Sequence, residues 1–217
     1  MVPRQQRKPS SPTNEISLTA SKIASRSYQY FRLSSGFVYS ALLARWLALY
    51  PLVGSKFLAG GIHEFLCYVM VYSATGELFW NLKHYGVKRV QGRTVLKNVN
   101  YLYFVATLHF HDDYEHAPVL KSRSYSLFII ALSLTQAYCN WSRLFKPVNR
   151  SRKSMWWKID SIALQPVLYL CEFYLLLLNL QTPNFHSYQY SELINKLILI
   201  AFIPMALHAY RKQIALL

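Results

Sequence analysis

Acid is scarce in this sequence: nine Asp and Glu stand against 24 Lys and Arg in 217 residues, a formal net charge of +15. So basic a chain invites a nucleic-acid reading. The cations, however, are spread over separate segments between apolar runs, with no aromatic-basic module like an RNA- or DNA-binding fold, so no nucleic acid is expected. Cysteine is scarcer still. Cys67, Cys139 and Cys171 all sit inside apolar runs without CxxC spacing, which excludes a disulfide framework and gives no zinc signature. A cleavable leader is also missing from the pattern, because the first apolar run starts near Phe37 after a long Arg/Ser-rich arm, and no small-residue cleavage site follows a short apolar core. The first helix is therefore expected to stay in place as an anchor.

What is abundant is apolar surface. The chain is 53% hydrophobic and 16% aromatic, with 15% charged residues, which is greasier than a soluble domain of this length. The excess falls in six runs: Phe37–Val53, Phe57–Thr75, Val99–Phe110, Ser124–Trp141, Ile159–Leu180 and Leu193–Tyr210. Several reach the roughly 17–25 residues that a spanning helix needs, and the third falls short. The fold class is accordingly all-α: a polytopic membrane protein of five to six apolar helices arranged as three hairpins. Residues 1–33 are expected to form a basic Ser/Pro-rich arm, 34–213 the membrane bundle and 214–217 a short tail.

Charge sets the orientation. Nineteen of the 24 Lys and Arg fall in the N-terminal arm, the Lys83 to Lys97 connection, the Arg143 to Lys158 connection and Arg211-Lys212. In a three-hairpin drawing these segments share one side, the positive-inside asymmetry, so that side and both termini are expected in the cytosol. The expected companions of such a rim are anionic lipid headgroups, with Arg150, Arg152 and Lys153 as the contact residues. Tyr50, Tyr72, Trp80, Tyr101, Tyr103, Trp141, Trp156 and Trp157 gather near the expected helix ends, as interfacial aromatics do. Asn140-Trp141-Ser142 and Asn149-Arg150-Ser151 match the glycosylation sequon but border or lie in a connection assigned to the cytosol, so neither is expected to carry glycan. Residues 16–31 mix apolar and basic side chains in a way that suits either an interfacial helix or a solvated linker. The turn between the first two runs, Pro51 to Lys56, makes those helices antiparallel neighbours or a wedge that turns back before crossing.

The sharpest polar cluster is His109-Phe110-His111-Asp112-Asp113-Tyr114-Glu115-His116. Metal ligation there would need several of these side chains to converge, and the further HisHis boxes of membrane di-iron hydroxylases are absent. A polar turn between helices accounts for the same residues, and no metal or other cofactor is expected. Ionisable residues inside apolar runs are costly unless paired. Arg45 and Glu64 lie at comparable depth on adjacent helices and are expected to form an ion pair, whereas Glu172 has no obvious cation near it. Glu172, with His111 as a second candidate, is therefore the residue to test for a buried functional role. Tyr169 and Glu172 sit at i and i+3, and six-span 3-hydroxyacyl-CoA dehydratases of fatty-acid elongation use a membrane-embedded Tyr and Glu. That family's Tyr lies two turns from its Glu, where this chain has Gln165, so a lipid-metabolism enzyme or enzyme subunit is the alternative reading and no catalytic residue is assigned.

Leu96-Lys97-Asn98-Val99-Asn100-Tyr101-Leu102-Tyr103, Pro118, Ala131-Leu132-Ser133-Leu134 and Leu144-Phe145-Lys146-Pro147 resemble, in order and spacing, the signature of the transmembrane protein 33 family. The chain departs from that family at Gln136, Cys139 and Asn140. The resemblance implies a non-catalytic membrane-organising or adaptor protein of the endoplasmic reticulum and nuclear envelope, with reticulons or nucleoporins as partners.

Overall fold

A computed structural model describes residues 12–85, 92–109, 119–145, 155–181 and 189–215, and among them every regular element is a helix. The first helical stretch, Pro12–Tyr85, is broken at Gly54, whose φ of 65° and ψ of −179° lie in a region that an L side chain avoids. We therefore treat it as two helices, α1 (12–53) and α2 (55–85). They are followed by α3 (Gly92–His109), α4 (Arg123–Phe145), α5 (Met155–Gln181) and α6 (Gln189–Ile214). The all-α architecture expected from the apolar runs is present, and α1 runs unbroken through residue 33.

Gly54 folds α1 back on α2 as an antiparallel pair. Going away from it, the Arg45 guanidinium lies over the Phe65 ring at 5.4 Å, the Tyr39 and Ser73 hydroxyls share a 2.6 Å hydrogen bond, and those of Ser34 and Tyr72 share one of 2.7 Å. Gly76 leaves room for the Phe31 ring of α1 against α2, because a Cβ there would run into that ring.

α4 is the central helix. It packs on the α1–α2 hairpin and on α5, while α6 lies outermost against α5. A helix surrounded on several sides can carry polar groups, provided its neighbours or its own backbone satisfy them. Ser126, Ser133, Thr135, Gln136 and Asn140 of α4 are all buried; the Ser133 hydroxyl donates to the Ile129 carbonyl at 2.6 Å and the Gln136 amide to the Tyr101 hydroxyl of α3 at 2.9 Å. Aromatic and aliphatic side chains fill the rest, with Phe104 and Phe128 stacked at 4.4 Å beside Leu42, Leu66, Met70 and Leu175. Tyr101, expected at an interface, is instead 4% exposed in this core, because Gln136 supplies its hydroxyl with a partner.

Among the described residues, three segments are long and apolar enough to cross a membrane: Arg26–Gly54, Met155–Gln181 and Leu193–Ile214. α3 and α4 coincide with the third and fourth apolar runs, but the Asn, Ser, Thr and Gln on their inward faces lower their hydropathy. In α5, Pro166 has no N–H to donate, and the helix meets it with a π turn over Asp160–Leu164, the Gln165 N–H reaching back to the Asp160 carbonyl.

The bundle has two chemically distinct ends. Gly54, the end of α3 at His109 and the start of α4 near Tyr125 gather at one. The other collects the Tyr28–Trp80 ring contact, Lys97 with Glu77, Trp141 with Ser40, and Gln213 with Ser161, which places the flanks of both basic connections together.

Candidate functional site

One turn of α3 reaches two carboxylates on two other helices. Lys97 and Asn98 take Glu77 of α2, at 2.8 and 3.3 Å, while Asn100 donates its amide to Glu172 of α5. The helical period explains the division. Asn98 and Asn100, two positions apart, point about 160° apart around the axis and so face different neighbours, while Lys97 lies between them and reaches Glu77 with its long side chain. Asn98 and Glu172 are each 1% exposed, which makes these bonds interior fastenings rather than surface decoration. Burial alone would raise the Glu77 carboxyl, but the Lys97 charge and the Lys97 and Asn98 hydrogen bonds outweigh it and hold the group below its ordinary value. Tyr101 continues the layer through Gln136, and on α6 Asn195 accepts the Tyr103 hydroxyl at 2.8 Å.

A second cluster lies towards the opposite end. His63 and Cys67, one helical turn apart on α2, meet His109, the last residue of α3; one ligand atom from each lies within 4.8 Å of the others. The Cys67 Sγ is 3.6 Å from His63 Nε2, and the other ring nitrogen, Nδ1, is 2.9 Å from the Tyr125 hydroxyl of α4. Three helices thus converge on two imidazoles, a thiol and a phenol, with His63 and Cys67 only 1% and 7% exposed.

Glu172, proposed from sequence as a buried carboxylate, is buried, and its companion is an amide rather than a cation. Arg45 and Glu64 fall at matching levels of the hairpin, since Arg45 covers Phe65, and both are exposed on its surface. Lys97 and Glu77 form an ion pair at 2.8 Å. His111, Arg150, Arg152 and Lys153 lie outside the described residues, as does Asn149, whereas sequon residue Asn140 is buried in α4. Sequence inspection passed over Lys97, Asn98 and Asn100 as chemistry because two of the three are uncharged. It passed over His63 and Cys67 because His-x-x-x-Cys on one helix signals nothing until His109 arrives from another. A small crevice between Tyr103, Thr107, Leu176, Asn179, Asn195 and Leu199 has room for about one water molecule.

The chain is 50% identical over 192 residues to the Beta-1,6-glucan synthesis-associated protein KEG1 of Saccharomyces cerevisiae, a match that covers 88% of this chain and 96% of that protein. No protein-family model and no solved structure matches it. Identity of that extent overturns the resemblance to the transmembrane protein 33 family, which rested on short segments of common apolar and small residues.

Proposed function

The chain belongs to the family of this beta-1,6-glucan synthesis-associated protein, and from that premise we propose that it is a non-catalytic component of β-1,6-glucan synthesis, held in the endoplasmic reticulum membrane with its basic connections in the cytosol. The single observation that carries the proposal is 50% identity along nearly the whole of a relative whose name ties it to that synthesis. One feature of the molecule supports an accessory role. Its interior carboxylates at Glu77 and Glu172 are spent on fastening α3 to α2 and α5. The basic flanks gathered at one end support the orientation, by the positive-inside rule.

The test is complementation. Expressed in Saccharomyces cerevisiae cells lacking the relative, the chain is expected to restore β-1,6-glucan to the wall, and a tagged copy to co-locate with an endoplasmic reticulum marker. A chain that accumulates in that membrane at the relative's level without restoring the polymer would refute the assignment. Glu172→Gln is expected to complement as well; its failure at normal abundance would move the reading to an enzyme that uses Glu172.

A further inference from the structure

We propose that His63, Cys67 and His109 form a transition-metal site, with zinc as the expected occupant, that clips α2 to α3. The donor set is the first argument. A thiolate with two imidazoles is a borderline-soft combination that suits Zn2+, and secondarily Cu+, over the hard oxygen-seeking cations.

Geometry is the second. Zinc bonds of about 2.3 Å to sulfur and about 2.1 Å to nitrogen, opened to the tetrahedral angle, place the two donor atoms about 3.6 Å apart. Cys67 Sγ and His63 Nε2 are separated by 3.6 Å, and the His109 donor needs to close in by no more than about 1.4 Å to complete a face whose atoms already lie within 4.8 Å. The i and i+4 placement of His63 and Cys67 stacks both over one turn of α2, so no backbone movement is required of that pair.

The third argument is the shell around the ligands. A metal-bound imidazole normally donates its remaining N–H to an oxygen, which fixes tautomer and ring plane. His63 Nδ1 meets the Tyr125 hydroxyl at 2.9 Å, leaving Nε2 aimed at Cys67. On binding, the Cys67 thiol releases its proton to solvent buffer and the ion takes the thiolate and two neutral imidazoles, leaving one coordination position for a water. The ordinary alternative is an S–H hydrogen bond to His63 inside a helix contact, and it makes different predictions.

The full-length chain, purified in detergent micelles and stripped with a chelator, is titrated with Co2+. One ion per chain is expected, with the intense near-ultraviolet thiolate-to-cobalt absorption and the visible bands of a tetrahedral site, both erased by Zn2+. A Cys139→Ser/Cys171→Ser double variant should keep the sulfur band, and Cys67→Ser should lose it. Tyr125→Phe should keep the band and weaken the affinity by about tenfold. Cu+ is offered separately against a chromophoric copper chelator; retention that depends on Cys67 would support the same site with copper as its occupant. Absence of both the cobalt sulfur band and Cys67-dependent Cu+ retention in the wild-type chain would overturn the proposal whether or not any variant folds. A cobalt band that survives Cys67→Ser in a chain of normal helicity would overturn it too.

Discussion

The Asn100 amide of α3 donates to the Glu172 carboxylate of α5, a side chain that is 1% exposed, so a polar helix is fastened to one of the three apolar ones. Losing a donor from a buried acceptor costs the acceptor's desolvation as well as the bond, about 1–3 kcal/mol. Asn100→Ala is therefore expected to lower stability in detergent by about that amount, seen as a lower thermal midpoint. Asn100→Asp, which sets two carboxylates together, should be worse, and Glu172→Gln, which keeps a partner for Asn100, should be milder. A midpoint unchanged in Asn100→Ala would mean that the contact contributes nothing to holding α3 on α5.

Gly54 is the hinge of the first hairpin. A Cβ built there meets nothing within 4 Å, so the obstacle to substitution is the backbone itself, at φ 65° and ψ −179°. Gly54→Ala should cost on the order of 1–3 kcal/mol of strain. Gly60 makes the control: it too has open space but lies within α2, so Gly60→Ala should be neutral or stabilising by up to about 1 kcal/mol. Pulse-chase turnover of both variants checks the contrast. Equal half-lives would show that the turn at Gly54 relaxes to accommodate a side chain.

The helices were legible because apolar runs and short polar breaks map directly onto them: the break at Pro51 to Lys56 is the Gly54 turn, and the short run at Val99 is the inner half of α3, whose first turns are polar yet helical. What stayed hidden is the bonding between helices. A search for charges finds Glu172 and stops, because its companion Asn100 is neutral and on another element. Tyr101 looked interfacial because amphipathic tyrosines often are, and only the packing of α4 brings Gln136 to its hydroxyl. The His63, Cys67 and His109 grouping depends on the hairpin register and on where α3 ends, neither of which local spacing encodes.

Arg45 and Glu64 stand at matching levels of the hairpin, one on α1 and the other on α2, with Arg45 also over the Phe65 ring. If the two charges stabilise each other, Arg45→Ala and Glu64→Ala should each lower the steady-state level, and the double variant should lose less than the sum of the two. A coupling of about 0.5–1 kcal/mol is expected for residues this exposed. The double-mutant cycle, read as detergent melting midpoints, decides it: strictly additive losses would leave Arg45 with its aromatic contact alone.

Arg150, Arg152 and Lys153 belong to a connection whose flanking helix ends, Phe145 and Met155, lie towards the end of the bundle where Lys97 meets Glu77. Each cation near an anionic leaflet contributes about 1 kcal/mol, so changing all three to Gln removes about 3 kcal/mol of surface attraction. Buried apolar helices hold the chain in the bilayer far more strongly than that, so extraction by carbonate should be unchanged. What should change is bias: a weaker preference for the cytosolic side, seen as increased access of a reagent confined to the far side to a cysteine placed at Ser151, and a more even spread of the tagged protein through its membrane. Unchanged accessibility with unchanged distribution would assign orientation to the remaining basic segments alone. Release by carbonate would contradict the membrane-spanning reading of Arg26–Gly54, Met155–Gln181 and Leu193–Ile214 themselves.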